Sequence, residues 1–598
     1  PGQPSPITVH RNGAIPIPAG GFDVVLGNPP WEVVQLGEEE YFATRAPEIA
    51  ALPGATRKRA IAALEREQPD LFEAYRVEKR RFEATNEFAR AGGRFIRTAR
   101  GKVNTYALFA ELFLSLTRPN GRAGIITPTG IATDATTAPF FGYLVEQARL
   151  AGLADFENRA GLFPDVDSRM KFCLLTLGLS ESSASFSFFL TDVAQLADVQ
   201  RRFALSPADI ARINPNTKTM PVFRARADAE LTARIYGRVP VLIEEGQGTA
   251  GNPWRVEFRQ GLFNMTSDSS LFRTAAQLAA LGLSRNGRDW MRAGDAPTRQ
   301  AVLALTGGRD AGHLDLSTGR ATEAERWVPL YEAKMIHHYD HRWATYDGAD
   351  SRDVTLAEKA DPAFEPAPRY WVSEHEVTDR LAEKGWRSGW LMGWRDICRA
   401  TDERTVIASL FPRSAVGHTS PLFFLDAVLP LWPAFYASLS SLILDFVARQ
   451  KVGGTHLTYG YLNQFSILPP DAYDETALAF IAPRVLELTY TSHTMAPFAR
   501  DLGHTGTPFK WDEDRRAHLR AELDAWYAHA YGLTRNELRY VLDPKGVMGG
   551  DYPSETFRVL QANERKRYGE YRTARLVLAA YDAMRADGTA PLTFRRGE

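Results

Sequence analysis

Asn28, Pro29, Pro30 and Trp31 place an amide, a stiffened carbonyl and an indole in four consecutive residues. An amine attached to an aromatic ring is a poor nucleophile because its lone pair is delocalised into the ring, and a catalyst must draw that lone pair out. Hydrogen-bond acceptors of fixed direction do this. The Asn28 side-chain oxygen is one, and the Pro29 carbonyl, held rigid by the two prolines, is a second. Trp31 supplies a surface on which a base lifted out of its stack would lie. Asn-Pro-Pro alone is also simply a stiff turn, so position matters. Here it follows an apolar run at residues 22–26 (FDVVL), with Asp23 near the start. That puts it at the carboxyl end of a strand, where open α/β sheets bind ligands.

The elements that would hold this group are legible on both sides. Residues 22–26 read as a buried strand, which Pro29 and Pro30 forbid from continuing. Residues 38–100, rich in Glu, Lys, Arg and Ala, read as charged helices broken near Pro53-Gly54 and Pro69, a helical insertion. Tyr106, Phe109, Leu112, Phe113 and Leu116 recur at helical spacing, and the turn Pro119-Asn120-Gly121 leads into an apolar strand at 123–126 that stops at Pro128. A helix over 137–150 and strands at 153–158, 171–178 and 184–190 complete one edge of a mixed sheet. From about 205 the pattern becomes irregular and aromatic. After Pro469-Pro470 it returns to helical signals, notably at 514–531 and 554–586. The expected divisions are therefore 1–204, carrying the insertion at about 38–100, then 205–475, then 476–598.

The stretch FDVVLGNPPW resembles motif IV of the amino-methyltransferases, whose Asn favours adenine N6 over cytosine N4. Asn104-Thr105-Tyr106 with its helix and the strand GRAGIITPTG resemble the segment that follows motif IV in large restriction-modification adenine methylases. Phe163-Pro164, leading to the strand at 171–175, resembles motif VIII, whose aromatic meets the other face of a flipped adenine. Phe163 is thus the second stacking candidate, with core packing its alternative role and Phe172 the fallback. Asn214-Pro215-Asn216-Thr217, GLFNMTSDSSLF, VPLYEAKMIHHYDHRWATY and the terminal LTRNELRYVLDP and GEYRTARLVL resemble type IIG and phage-defence (BREX-like, DISARM-like) methylases.

This resemblance covers nearly the whole chain. It implies an α/β fold: the carboxyl half of a Rossmann-like class I methyltransferase sheet with a helical insertion, an α+β target-recognition domain, and a mainly helical final region. It implies S-adenosylmethionine as cofactor, double-stranded DNA as substrate, and other restriction or phage-defence proteins as partners. One departure stands out. The Gly-rich loop and acidic ribose contact that bind the cofactor lie upstream of motif IV in such enzymes, and neither fits within residues 1–27. Together with the opening Pro1-Gly2-Gln3-Pro4 and the lack of an initiator Met, this leads us to expect a piece of a longer polypeptide. Its cofactor contacts would lie mostly before residue 1, with Asp23 the candidate inside the chain, and this piece alone would be inactive.

Other constellations are less specific. His337, His338, Asp340 and His341 are the densest ligand-like cluster, but direct methyl transfer needs no metal, and a structural or DNA-contacting role is expected. Glu332-Ala333-Lys334 has nuclease-like spacing without a partner acid. Arg404, Arg413, His418, Lys451, Thr455 and His456 fall in turns near Tyr459 and Tyr461 and are candidate DNA contacts. Arg57-Lys58-Arg59 and Lys79-Arg80-Arg81 have acidic neighbours and read as solvated helix faces.

Over 598 residues, 71 Lys and Arg against 72 Asp and Glu exclude a generally basic nucleic-acid coat. The two cysteines, Cys173 and Cys398, exclude a disulfide framework and fit reducing cytoplasm. No apolar stretch is long enough for a membrane span and no secretion signal opens the chain. Rival functions remain a catalytically silent DNA-recognition or assembly component, and methylation of RNA or of protein glutamine.

Overall fold

Short apolar runs separated by amphipathic helices build the first of two compact units, Pro1–Ala233. In this computed structural model the described residues are 20–179, 183–292, 314–315, 320–321 and 325–595. Six strands, β1 (Phe22–Gly27), β2 (Thr117–Pro128), β3 (Leu150–Glu157), β4 (Lys171–Leu177), β5 (Ala184–Leu190) and β6 (Phe203–Leu205), form one sheet in the order β1-β2-β4-β3-β5-β6. β1, β2, β3 and β5 run parallel to one another, and β4 and β6 oppose them. The antiparallel strand β4 is thus wedged between the parallel strands β2 and β3. The expected α/β fold is the one observed.

Between β1 and β2 lie α1 (Glu38–Ala43), α2 (Pro47–Ala50), α3 (Gly54–Glu67), α4 (Pro69–Ala91) and α5 (Thr105–Leu116). Pro47 and Pro69 stand in first turns, where a missing N–H costs nothing. The first four helices bury Phe42, Ile49, Leu64 and Tyr75 together, so the insertion has an apolar core of its own. Two local readings differ. The expected turn at 119–121 falls inside β2 as a bulge: Phe22 pairs with Thr117 and Val24 next with Arg122, so residues 118–121 stand outside the ladder, while Gly121 lies so close to β1 that a Cβ would be 2.7 Å from the Phe22 and Asp23 carbonyl oxygens. The helix expected over 137–150 is Ala138–Glu146, and β3 already begins at Leu150.

The second unit, Arg234–Glu598, is α+β and then helical. Strands Ala408–Pro412, Trp390–Trp394, Leu422–Leu425 and Val256–Arg259 form an antiparallel sheet in that order. Arg326–Tyr331 centres a second sheet, flanked by Trp371–Ser373 and Asp289–Arg292. Helices Leu431–Ser440 and Leu442–Arg449 are buried on every face from Trp432 onward, the polar Asp445 and Arg449 included, which pair with each other at 2.9 Å. The signal at 554–586 is two helices, Arg558–Tyr568 and Arg572–Ala586, parted at Gly569 with φ +76°. Among the described residues no single helix is long and apolar enough to cross a membrane.

Candidate active site and nucleic-acid interface

The Asn28 loop leaves the carboxyl end of β1 beside β2, with Gly27 paired to Ile125. Gly27 is needed for this approach, since a Cβ would stand 2.8 Å from the Phe113 ring of α5. The first turn of α5 then grips the loop. Thr105 Oγ1 donates to the Pro30 carbonyl at 2.6 Å, the Glu32 N–H donates to Thr105 Oγ1 at 2.9 Å, and the Thr105 N–H donates to the Glu32 carbonyl at 2.9 Å. Asn104 caps the helix by accepting the Tyr106 N–H at 3.2 Å. The Trp31 indole N–H donates to the Ile126 carbonyl at 3.3 Å, and its half-buried ring packs on the cluster of Phe156, Phe172 and Leu190.

This bonding pattern sorts the acceptors of the loop. The Pro30 carbonyl is occupied by Thr105. The Asn28 side chain is exposed, and neither its amide nor the Pro29 carbonyl accepts a hydrogen bond among the described residues. Two acceptors on adjacent residues are thus without a partner among the described residues, Asn28 exposed and Pro29 buried, next to an indole of fixed orientation.

Phe163 lies in the loop between β3 and β4. It is 36% exposed and meets Phe172 edge-on at 5.0 Å. Phe172 itself is buried and stacked on Phe156 at 5.4 Å, which makes the fallback stacking residue a core residue. Asn158 fixes the Phe163 loop by three bonds: its Nδ2 donates to the Phe163 and Val166 carbonyls at 2.9 and 2.8 Å, and its Oδ1 accepts the Phe163 N–H at 2.9 Å. Asp155 on β3 is likewise buried, accepting from Thr129 Oγ1 and from the Phe189 N–H at 3.1 Å, and burial raises its carboxyl above the ordinary range. Thr105, Asn158 and Asp155 were missed as site-forming residues. Only Thr105 had a local signal, its place behind a helix-capping Asn.

Asp23 is not part of this site. It sits near the amino end of β1 in an exposed ion pair with Arg118, about 16 Å of strand from Asn28. The Cys173 thiol, bonded to Thr127 at 3.4 Å, is pushed up to about 12 by burial and is no nucleophile.

In the second unit the six DNA candidates do not form one surface of free side chains. Lys451 is a correction: it is buried, its Nζ donates to the Gln464 carbonyl at 2.7 Å and lies 4.5 Å from the Tyr236 ring, and burial depresses its ammonium well below the ordinary value. Arg404 is mostly buried and donates to the Ser440 carbonyl. Arg413 bonds Thr378 Oγ1 at 3.0 Å, and His418 Nδ1 accepts the Met265 N–H at 3.2 Å. Thr455 and His456 are exposed, His456 within 3.1 Å of Asp396. In the first unit, Arg57 is anchored on Glu39 and the Ala50 carbonyl, while Arg80 and Arg81 lie in exposed ion pairs on α4.

The histidine cluster diverges. His337 stacks on Trp343 at 4.2 Å, His341 bonds Ser492 Oγ at 2.9 Å, and Asp340 pairs with the buried Lys359 at 2.6 Å. Among the described residues no three His, Cys, Asp or Glu side chains are arranged to hold a metal ion.

The fold is therefore α/β, with a six-stranded mixed sheet interrupted by a helical insertion, and an α+β and helical second unit. Solved structures similar to this chain include the methyltransferase subunit of a type I restriction-modification system from Streptococcus thermophilus, at 12% identity and TM-score 0.21, covering 34% of this chain and 39% of that one. The type IIG restriction endonuclease BpuSI matches at 13% identity and TM-score 0.25, over 84% of this chain and 53% of that one. The type IIL restriction-modification enzyme MmeI, in complex with DNA, matches at 11% identity and TM-score 0.34, over 92% and 57%. The chain thus spans less than two thirds of the length of each. No protein-family model and no curated protein matches it.

Proposed function

We propose that this chain provides the target-side half of a site-specific DNA adenine-N6 methyltransferase of a restriction-modification or phage-defence system. The observation that carries the reading is the pair of unpartnered acceptors, the exposed Asn28 amide oxygen and the carbonyl of the buried Pro29, beside the oriented indole of Trp31. An extruded adenine would lie on Trp31, with Phe163 as the candidate for its other face. Its amine would donate one hydrogen to each acceptor, which localises the nitrogen lone pair for attack on a methyl group. Unit 2 would contact duplex DNA, with Thr455 and His456 the exposed candidates.

The donor implied by the motif is S-adenosylmethionine. Asp23, the candidate contact for it inside the chain, is paired with Arg118 near the amino end of β1. The residues of this chain are accordingly assigned base clamping and amine polarisation only.

Methylation-aware sequencing of DNA from cells carrying the complete gene, compared with cells carrying its Asn28→Ala form, tests the reading. A single sequence motif that loses N6-methyladenine in the variant supports it. Methylation that persists in Asn28→Ala removes the assignment of Asn28. No methylated DNA in either would leave RNA, protein glutamine or a silent recognition role as the function.

A further inference from the structure

The second unit contains a cavity of about 430 Å³ that the chemistry above does not use. Its wall is made by the turn around His338, the Arg404 loop, and the helices Glu513–Ala530, Arg558–Tyr568 and Arg572–Ala586.

Three side chains on that wall hold hydrogen-bonding capacity that the fold leaves unused. His338 is only 7% exposed, and neither ring nitrogen meets a partner in hydrogen-bond geometry, although the Val406 main chain lies alongside. Arg520 makes no ion pair or hydrogen bond among the described residues. Arg404 gives one N–H to Ser440, but its Nε has no acceptor; the nearest carboxylate, Asp445 at 3.8 Å, is held by Arg449 at 2.9 Å.

The acids of the wall are mostly engaged already. Asp340 is on Lys359 at 2.6 Å, Glu403 on Asn563 at 2.8 Å, Glu513 on the Trp511 indole at 2.7 Å and Glu564 on Thr573 at 2.6 Å. Asp353 is exposed to solvent. Asp524 accepts the Leu442 N–H at 2.7 Å and faces Arg404 and Arg520. The wall carries six carboxylates and six Lys and Arg side chains, and the charged donors on it without an acceptor of their own among the described residues are the Arg404 Nε and the Arg520 guanidinium. Burial first, and then the nearby Arg404, His337 and Arg520, hold His338 in its neutral form.

The aromatic faces, by contrast, are taken. Lys359 lies 4.9 Å from the Trp343 ring and 4.8 Å from Trp511, and Arg516 covers Trp511 at 3.7 Å. The site is equipped for an oxyanion and has no obvious free face for a stacked ring, and its volume lies in the range that accepts a small metabolite.

We propose that this cavity binds a small phosphorylated molecule, its phosphate oxygens received by Arg520, Arg404 and the His338 ring N–H. The proposal does not depend on the reading of Asn28.

Isothermal titration of the full-length protein with inorganic pyrophosphate and with deoxyadenosine monophosphate, for wild type and Arg520→Gln, is the test. Arg520 is exposed and unbonded, so the variant keeps its fold, which circular dichroism checks. Saturable binding that weakens at least tenfold in Arg520→Gln is expected. No saturable binding by wild type, or binding that Arg520→Gln leaves unchanged, overturns the proposal. Pyrophosphate displaced by a short duplex in an Arg520-dependent manner would assign the cavity to DNA backbone phosphate, and would equally overturn a small-molecule site.

Discussion

Asn28 and Trp31 are neighbours with different structural duties, and their variants should separate accordingly. Asn28 is exposed and its side chain unbonded, so Asn28→Ala should leave thermal unfolding unchanged while methylation falls on the order of 100-fold or more. Trp31 is both a surface and a packing residue, bonded to Ile126 and set against Phe172. Trp31→Ala should weaken productive DNA binding by roughly 1–3 kcal/mol and also lower the melting temperature, whereas Trp31→Phe should restore most of both. Gel-shift and melting measurements on the pair check this; a Phe variant as poor as Ala would mean the indole N–H, not the ring face, is what matters. Lys451→Met should leave DNA affinity and its salt dependence untouched, because Nζ is buried on a carbonyl that also accepts the Tyr236 hydroxyl. A reduced salt slope would restore Lys451 as a phosphate contact. The Asn28 group was legible in the sequence because its parts are contiguous. The burial of Lys451 was not, because it depends on Tyr236 and Gln464, and Tyr236 lies more than two hundred residues away in the chain.

At the scale of elements, the site is a junction of β1, β2 and the first turn of α5. Thr105→Val removes the bond to the Pro30 carbonyl at almost constant volume, so it should free a third acceptor and loosen the loop. Expected is a stability loss of about 1 kcal/mol with a methylation defect larger than that loss explains. Equal activity in the variant, measured at saturating DNA, would show that the loop is held by Gly27 and the prolines alone. β1, β3, β4 and β5 were readable because apolar runs ended by Gly, Pro or Asn leave little else to form. The start of β2 at Thr117 escaped because Pro-Asn-Gly is a strong turn signal; the chain does bulge there, between the Thr117 and Arg122 pairings, before it rejoins β1. The buried helix Leu431–Ser440 escaped for the opposite reason: a helix apolar on all sides has no polar face to mark its period.

For the molecule as a whole, buried ionisable groups set an acid limit. His338 and His341 are held well below the ordinary histidine value of 6.5, chiefly by burial. Below that value the unfolded chain takes up protons that the folded chain refuses, so stability declines as pH falls, by up to about 3 kcal/mol per pH unit for two full protons. Asp524, pushed up to about 6 by burial from 3.8, works against this: the folded chain keeps a proton there that the unfolded chain releases. Asp524→Asn should therefore steepen the acid loss between about pH 4 and about pH 6, as urea unfolding at a series of pH values would measure; an unchanged slope would mean that Asp524 stays charged in the fold. The same interior has a consequence for modularity. The Asp524 carboxylate accepts the Leu442 N–H, Tyr527 bonds the Ala434 carbonyl, Arg516 bonds the Tyr339 carbonyl and Tyr531 bonds the Ser466 carbonyl, all of them buried. The stretch before residue 475 and the helices after it are thus sewn into one body. Because the earlier stretch offers main-chain atoms at all four places, an exchange of that stretch alone would have to keep its backbone in register with the side chains of the later helices, so the two stretches would travel most readily as a single cassette.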